Sequence, residues 1–113
     1  MLYYHNPRCS KSRVGLKLLQ EKGVAFQVKE YLKEPLTVKE IAELSQKLKK
    51  KPQDLIRVKE EEYKELNLGR EDLSLNDWCQ VIVDHPVLLE RPILVHENQA
   101  AIGRPPEKLL EIL

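Results

Sequence analysis

One short segment near the start of the chain, HNPRCSKSR, holds the side chains best suited to chemistry. Cys9 lies four residues after His5 and four residues before Arg13. The thiolate form of cysteine is the nucleophile, and nearby positive charge or a helix N-terminus favours its formation. Cys9 is therefore either a nucleophile or an ordinary thiol beside a turn. The choice depends on the elements that position it.

The residues around Cys9 predict a strand, a turn and a helix. Leu2–Tyr4 has the composition of a short strand, and Asn6-Pro7 is a turn signal. Apolar residues recur at helical spacing from Ser10 to Lys22. Cys9 then falls at the N-cap or first turn, where unpaired backbone N–H groups and the helix dipole favour an anion. We expect the hydroxyl of Ser12 to donate a hydrogen bond to the sulfur.

Two other reactive side chains have competing interpretations. His5, at the end of a predicted strand, is either a residue that tunes Cys9 or an ordinary structural histidine. Cys79 lies beside Trp78 on the apolar face of a predicted helix, the usual place for an inert buried thiol. Neither cysteine belongs to a Cys-x-x-Cys pair or to a His/Cys cluster with zinc spacing. The sequence therefore predicts no metal site.

Three arginines lie at the boundaries of predicted elements. They are Arg57 in DLIRV, Arg91 in ERPILV and Arg104 in IGRPPE. Taken one at a time, each is consistent with an ordinary solvated charge. Together with a thiolate at a helix start, three forked guanidinium donors indicate a pocket for a tetrahedral oxyanion.

The N-terminal part of the chain predicts a βαβ unit. A second strand, Ala25–Leu32, follows the first helix after a stop at Gly23. Two strands joined through a helix pair in parallel, with a right-handed crossover.

The rest of the chain adds a helical segment and a hairpin. Residues from about 37 to 85 are predicted to be helical, with N-caps at Thr37 and Ser74 and a brief helix ending near Gly69. In the helix after Ser74, the spacing of Leu75, Trp78, Cys79 and Ile82 predicts one buried face. The final segments are strands Ile93–His96 and Gln99–Ile102, which must pair antiparallel, and a closing helix. The order βαβ–helical insert–ββα predicts an α/β fold, a four-stranded mixed sheet with flanking helices.

The composition argues against a nucleic-acid-binding or membrane protein. The chain has 113 residues, of which 42% are apolar and 33% charged, with a formal net charge of +1. This predicts one domain, residues 1–113, and gives no general attraction to nucleic acid or membranes. No apolar run approaches the roughly 20 residues that a bilayer crossing needs, and no leader pattern is seen. We expect a cytoplasmic monomer.

Five motifs in order resemble the ArsC-type arsenate reductases, which are glutaredoxin-coupled enzymes with a thioredoxin-like fold. The motifs here are His-x3-Cys-x3-Arg at 5–13, NP-x-C at 6–9, L-x-R at 55–57, the HP…RP block at 85–92, and RP-x-E at 104–107. The resemblance covers nearly the whole chain. Five motifs in the right order are more specific than any one of them.

The resemblance implies a role for each candidate residue. Cys9 matches the catalytic cysteine, and His5 and Ser12 match residues near it that help its ionisation. Arg13, the arginine of the same signature, is expected to tune the thiolate by adding positive charge. The oxyanion-binding arginines are matched by Arg57, Arg91 and Arg104. A cis peptide bond between Arg91 and Pro92 is also implied, because thioredoxin-like folds place a cis-proline beside the active-site cysteine.

The implied reaction is reduction of arsenate to arsenite, with glutathione as co-substrate and glutaredoxin as partner, and with no bound cofactor. One alternative is a redox protein that acts on glutathione mixed disulfides. Another is a non-enzymatic module like the Spx-type regulators, which carry Cys-x-x-Cys where this chain has Cys-Ser-Lys-Ser at 9–12. The basic run Lys47–Gln53 is either a partner surface for such a module or a solvated helix end.

Overall fold

The computed structural model describes residues 1–66, 68 and 72–113. The chain forms two compact units, one from residues 1–34 and 91–113 and the other from residues 35–90. The first unit holds the sheet and the Cys9 segment. The second contains the segment predicted as a helical insert at about 37–85. The organisation of the chain as a single domain stays a prediction.

A four-stranded mixed sheet forms the centre of the first unit. The strands are β1 (Leu2–Tyr4), β2 (Gln27–Lys29), β3 (Ile93–His96) and β4 (Gln99–Ile102). Their order is β2-β1-β3-β4, and β1 is parallel to β2 but antiparallel to β3, which pairs antiparallel with β4. The predicted sheet and both strands of the hairpin are confirmed.

The second strand is shorter than predicted. We predicted Ala25–Leu32, whereas β2 spans Gln27–Lys29. The reason is pairing: β2 is an edge strand, and its one neighbour β1 offers three residues, so the ladder runs from the Leu2–Gln27 pair to the Tyr4–Lys29 pair. Helix α1 (Ser10–Glu21) joins the two strands and ends as predicted near Gly23, whose φ of 70° is a left-handed conformation open to glycine.

The core of the first unit lies between the sheet and two helical segments. Its fully buried members come from β1, α1, β3 and the C-terminal segment, namely Tyr3, Leu19, Leu94 and Leu109. Gly15 allows α1 to lie close to β1 and the C-terminal segment, because a Cβ there would collide with the Tyr3 hydroxyl and press on Leu109. The closing helix is a 3₁₀ helix, Pro106–Ile112, that packs on α1 and β4.

The second unit is helical. Its α-helices are α2 (Val38–Leu48), α3 (Glu61–Glu65) and α4 (Leu75–Asp84), and its 3₁₀ helices include Pro52–Leu55 and Pro86–Leu88. Both predicted N-caps are confirmed as capping boxes, Thr37 with Glu40 and Ser74 with Asp77. The predicted helix end at Gly69 lies outside the described residues.

The apolar face of α4 packs against α2. Trp78, Cys79 and Ile82 are buried as predicted, but Leu75 is 59% exposed. Leu75 is the first helical residue, and α4 buries its apolar face only from Trp78 onward. In the described part of the chain, no helix combines the length and apolar character that crossing a bilayer requires.

Candidate active site

The loop before α1 is a turn held by its own hydrogen bonds. The backbone N–H of Cys9 donates to the carbonyl of Asn6 over 3.0 Å, and the N–H of Arg8 donates to Asn6 Oδ1 over 3.0 Å. Cys9 is the N-cap of α1 and has an extended conformation, and its carbonyl accepts from the N–H of Arg13. The predicted position of Cys9 at the helix start is confirmed.

The environment of Cys9 favours its thiolate. Burial by itself raises the pKa of this half-buried thiol. Hydrogen bonds from the backbone N–H of Ser12, the Arg91 side chain and the N–H of Lys11, together with the charge of Arg91, outweigh burial and lower the pKa of Cys9 below its ordinary value. A larger fraction of Cys9 side chains is therefore in the thiolate form at neutral pH than for an ordinary cysteine.

Ser12 connects the turn, the strand and the helix. Its fully buried hydroxyl oxygen accepts from the N–H of Asn6 over 3.0 Å and lies 2.7 Å from Nδ1 of His5. Its carbonyl accepts a 2.7 Å hydrogen bond from the Tyr3 hydroxyl. We expected the Ser12 hydroxyl to donate to the sulfur. In the structure the hydroxyl meets His5 and Asn6, and Ser12 reaches the Cys9 sulfur through its backbone N–H.

His5 is buried and contacts Ser12. Burial lowers the pKa of His5, with the charge of Glu30 opposing this shift and that of Arg13 adding to it, so the imidazole is neutral at neutral pH. Its ring lies 5.7 Å from that of Tyr3, measured between centroids. In the structure His5 contacts the Ser12 hydroxyl and so helps to position it. Its connection to the Cys9 sulfur therefore runs through Ser12.

Sequence reasoning missed Tyr3 as part of this site. Its ring belongs to the core of the first unit, while its hydroxyl holds the first turn of α1 through Ser12. Burial raises the pKa of Tyr3 far above its ordinary value, so the hydroxyl keeps its proton and remains a donor. A tyrosine in an apolar strand gives no sequence signal for this contact, which depends on how closely the helix approaches the sheet.

Two of the three predicted arginines lie at the sulfur. The Arg91 side chain hydrogen-bonds the Cys9 sulfur, and Nη2 of Arg104 lies 4.0 Å from it. Nε of Arg104 donates to the carbonyl of Arg91 over 2.7 Å, which ties the two residues together. The bonds Arg91–Pro92, as predicted, and Arg104–Pro105 are both cis.

Arg57 belongs to the second unit, and its approach to Cys9 stays a prediction. Its backbone N–H donates to the carbonyl of Leu88 over 2.6 Å, and its Nε lies 3.2 Å from Oε1 of Glu60. Nη1 of Arg57 is buried and has no hydrogen-bond partner among the residues that the structure describes. That nitrogen is able to donate to a ligand.

The remaining candidates have simpler surroundings. Nη1 of Arg13 is exposed and donates to the carbonyl of Pro7 over 2.9 Å, which braces the turn. Both cysteines are free thiols, and burial raises the pKa of Cys79. Over residues 1–66, 68 and 72–113, His, Cys, Asp and Glu side chains form no group of three or more that could hold a metal ion.

Residues 4–112 match the sequence profile of the ArsC family. The chain belongs to the ArsC family. The arsenate reductase of Haemophilus influenzae is 43% identical over 114 residues, which cover 100% of this chain and 98% of that protein. The uncharacterized protein YfgD of Escherichia coli is 49% identical over 111 residues, which cover 97% of this chain and 93% of that protein.

A solved structure, that of an arsenate reductase from Vibrio cholerae, superposes on this ArsC protein with a TM-score of 0.95. It is 49% identical, and the match covers 99% of this chain and 96% of that one. The thioredoxin-like fold predicted from the sequence motifs is confirmed.

Proposed function

We propose that this ArsC protein reduces arsenate to arsenite, with Cys9 as the nucleophile and glutathione as the source of electrons. The observation that carries the proposal is the Cys9 sulfur itself. It lies at the N-cap of α1, receives a hydrogen bond from Arg91 and has Nη2 of Arg104 at 4.0 Å. The arsenate reductase names of its relatives in Haemophilus influenzae and Vibrio cholerae support the choice of oxyanion.

The first step is attack by the Cys9 thiolate on arsenic(V). A sulfur–arsenic bond forms, one arsenic–oxygen bond breaks, and the oxygen leaves as water after taking up protons. The arsenic stays at oxidation state five. Arg91 and Arg104 offset the repulsion between a thiolate and an anionic substrate, and stabilise the negative charge on the oxygens as the bond breaks. The N–H groups at the start of α1, two of which bond the Cys9 sulfur, act in the same direction.

The second step reduces the arsenic. A glutathione thiolate attacks the Cys9 sulfur, and the electron pair of the sulfur–arsenic bond goes to arsenic, which leaves as arsenite. Two thiols lose two electrons to become a Cys9–glutathione disulfide, and arsenic gains two. A second glutathione, through glutaredoxin, returns Cys9 to its thiol and releases glutathione disulfide.

An external thiol is proposed because the second cysteine of the chain is unsuited to the role. Cys79 is 2% exposed, and burial raises the pKa of its thiol. A buried, protonated thiol is a poor partner for disulfide exchange, which needs an accessible thiolate. A small thiol such as glutathione avoids this requirement.

Arg57 is kept as a proposed oxyanion ligand because it matches the L-x-R motif of the family. Its buried Nη1 has no hydrogen-bond partner within the described ranges of the chain, and its Nε pairs with Glu60 at 3.2 Å. A buried guanidinium nitrogen without a partner is costly unless a ligand satisfies it. The unsatisfied Nη1 is therefore consistent with the oxyanion-binding role that the motif implies for Arg57.

The test is arsenate-dependent NADPH oxidation in an assay coupled through glutathione, glutaredoxin and glutathione reductase. The wild-type protein should support turnover, and Cys9→Ser should lower it by more than about 10³-fold, because loss of a covalent nucleophile costs orders of magnitude. Cys79→Ser is the matched control and should stay within about twofold, because no proposed chemical step uses the Cys79 thiol. Equal activity of wild type and Cys9→Ser would overturn the proposal. Reduction of glutathione mixed disulfides without arsenate-dependent turnover would favour the alternative function.

A further inference from the structure

A cleft of about 360 Å³ opens beside the turn that carries Cys9. Its lining includes His5, the turn residues Asn6, Pro7 and Arg8, and Glu30 and Lys33 from the segment after β2. The volume falls in the roughly 300–1,000 Å³ range of small-molecule sites. All of these residues belong to the first unit, which also holds Cys9, Arg91 and Arg104.

The charges in the cleft form a mixed pattern. Arg8 and Lys33 are cationic, Glu30 is anionic, and buried His5 is neutral because burial lowers its pKa. Nζ of Lys33 lies 3.7 Å from Oε1 of Glu30, and the two side chains are 80% and 39% exposed. Such an exposed ion pair contributes little free energy, so both groups are available to a ligand.

We infer that this cleft binds the peptide part of glutathione, and that it is the co-substrate site of the protein. Glutathione carries two carboxylates and one ammonium group at neutral pH, and the cleft offers two cations and one anion. Arg8 and Lys33 are the partners for the carboxylates, and Glu30 is the partner for the ammonium. That the ligand is glutathione rests on the proposed function. The cleft and its charges are features of the structure and are independent of that function.

The turn connects this cleft to the reacting sulfur. Arg8 precedes Cys9 directly, and the hydrogen bond from the Cys9 N–H to the Asn6 carbonyl closes the turn whose residues form the cleft wall. Asn6 Oδ1 holds the N–H of Arg8, which fixes the backbone from which the guanidinium extends. Cys9, Arg91 and Arg104 are not among the residues that line the cleft: the two guanidinium groups lie at the sulfur, and the cleft adjoins Cys9 through its neighbour Arg8. In this assignment the oxyanion and the peptide use different groups, and the thiol of the bound peptide extends from the cleft past Arg8 to the Cys9 sulfur.

The test measures disulfide exchange without arsenate. In this reaction the Cys9 thiolate attacks one sulfur of glutathione disulfide, a Cys9–glutathione disulfide forms, and one glutathione thiolate leaves. The rate constant is followed by mass spectrometry for glutathione disulfide and for uncharged 2-hydroxyethyl disulfide. The second disulfide reports the intrinsic reactivity of Cys9, and the ratio of the two rates reports recognition of the peptide.

Arg8→Ala and Lys33→Ala should each lower the ratio by about five- to tenfold, as expected for one charge-assisted contact. Lys17→Ala, which removes an exposed lysine of α1, is the control and should leave the ratio within about twofold. Glu30→Gln is the decisive variant. Nonspecific attraction of the anionic disulfide predicts a higher ratio because a negative charge is removed, whereas loss of the ammonium partner predicts a ratio about threefold lower.

A ratio unchanged in Arg8→Ala and Lys33→Ala, or raised in Glu30→Gln, would overturn the assignment of the cleft. A parallel fall of both rates would do the same, since it would place the effect on the thiolate rather than on binding. Because arsenate is absent, the outcome is independent of the coupled assay. Failure of arsenate reduction with an intact ratio would count against the proposed function alone.

Discussion

The two cysteines of this ArsC protein show how position in a helix controls a thiol. Cys9 lies at the N-cap of α1, and Cys79 lies within α4 in the core of the second unit. Burial raises the pKa of both thiols. At Cys9, two backbone N–H groups and Arg91 outweigh burial, so the pKa is lowered. At Cys79, burial is the cause that acts, so the pKa is raised. N–H groups inside a helix bond to carbonyls one turn earlier, so only a helix start has spare donors for a thiolate.

The largest expected effect comes from removing Arg91, the side chain that most distinguishes the surroundings of Cys9 from those of Cys79. Arg91→Ala should cost about 2–4 kcal/mol of transition-state stabilisation, or about 30- to 1,000-fold in kcat/KM for arsenate. The buried guanidinium hydrogen-bonds the sulfur, so the variant loses both charge and donors there. Arg91→Lys should recover only part of the loss, because an ammonium keeps the charge without the forked geometry.

The measurement is kcat/KM for arsenate in the coupled assay, with Lys17→Ala as a control for loss of one exposed positive charge. Equal kcat/KM in wild type, Arg91→Ala and Arg91→Lys would contradict the role of Arg91 in the anion site.

A smaller effect, on the free energy of unfolding, is expected from substitution of Ser12. Ser12→Ala leaves the N–H of Asn6 and Nδ1 of His5 without the hydroxyl that now satisfies both. Leaving buried polar groups unpaired costs about 1–3 kcal/mol, so the free energy of unfolding should fall by that amount. Urea denaturation measures it. Ser10→Ala, at an exposed position in the same turn of α1, should change the free energy of unfolding by less than about 0.5 kcal/mol. Equal losses in the two variants would show that the buried network around Cys9 adds no stability.

The smallest effect belongs to Cys79. Cys79→Ala should lower the free energy of unfolding by about 1–2 kcal/mol, because it removes a buried sulfur that packs like a small apolar group. It should leave kcat/KM for arsenate within about twofold. Urea denaturation and the coupled assay test these two statements on one protein preparation. A loss of activity in a fully folded Cys79→Ala protein would end the distinction between a reactive and a packing cysteine.

Local signals made much of the fold predictable. Thr37 with Glu40 and Ser74 with Asp77 form capping boxes within four residues, so short-range chemistry determines both helix starts. The two-residue turn between β3 and β4 similarly requires antiparallel pairing. Where the outcome depended on neighbours, prediction was weaker. The length of β2 follows from its partner β1, and the exposure of Leu75, the first residue of α4, depends on packing that lies outside the helix itself.

The same division holds at the site. The spacing of His5, Cys9 and Arg13 was readable, because all three lie in one strand–turn–helix segment. The contacts of Ser12 with the His5 ring and the Tyr3 hydroxyl were not, since they depend on how α1 packs on the sheet. Arg91 and Arg104 drew attention through their positions beside prolines and the family motifs. Their contact with a sulfur more than 80 residues away in sequence became visible only in the folded chain.

The most direct test of the account is the pH dependence of alkylation at the two cysteines of the native protein. Iodoacetamide reacts with the thiolate, so each rate constant, followed by peptide mass spectrometry, rises with pH through the pKa of that thiol. We predict that Cys9 is labelled at least tenfold faster than Cys79 at pH 7, with an inflection below the ordinary cysteine value of about 8.5. Arg91→Ala should move that inflection to higher pH. Faster labelling of Cys79, or a Cys9 inflection at or above the ordinary value, would contradict the claim that the start of α1 and Arg91 turn Cys9 into the nucleophile.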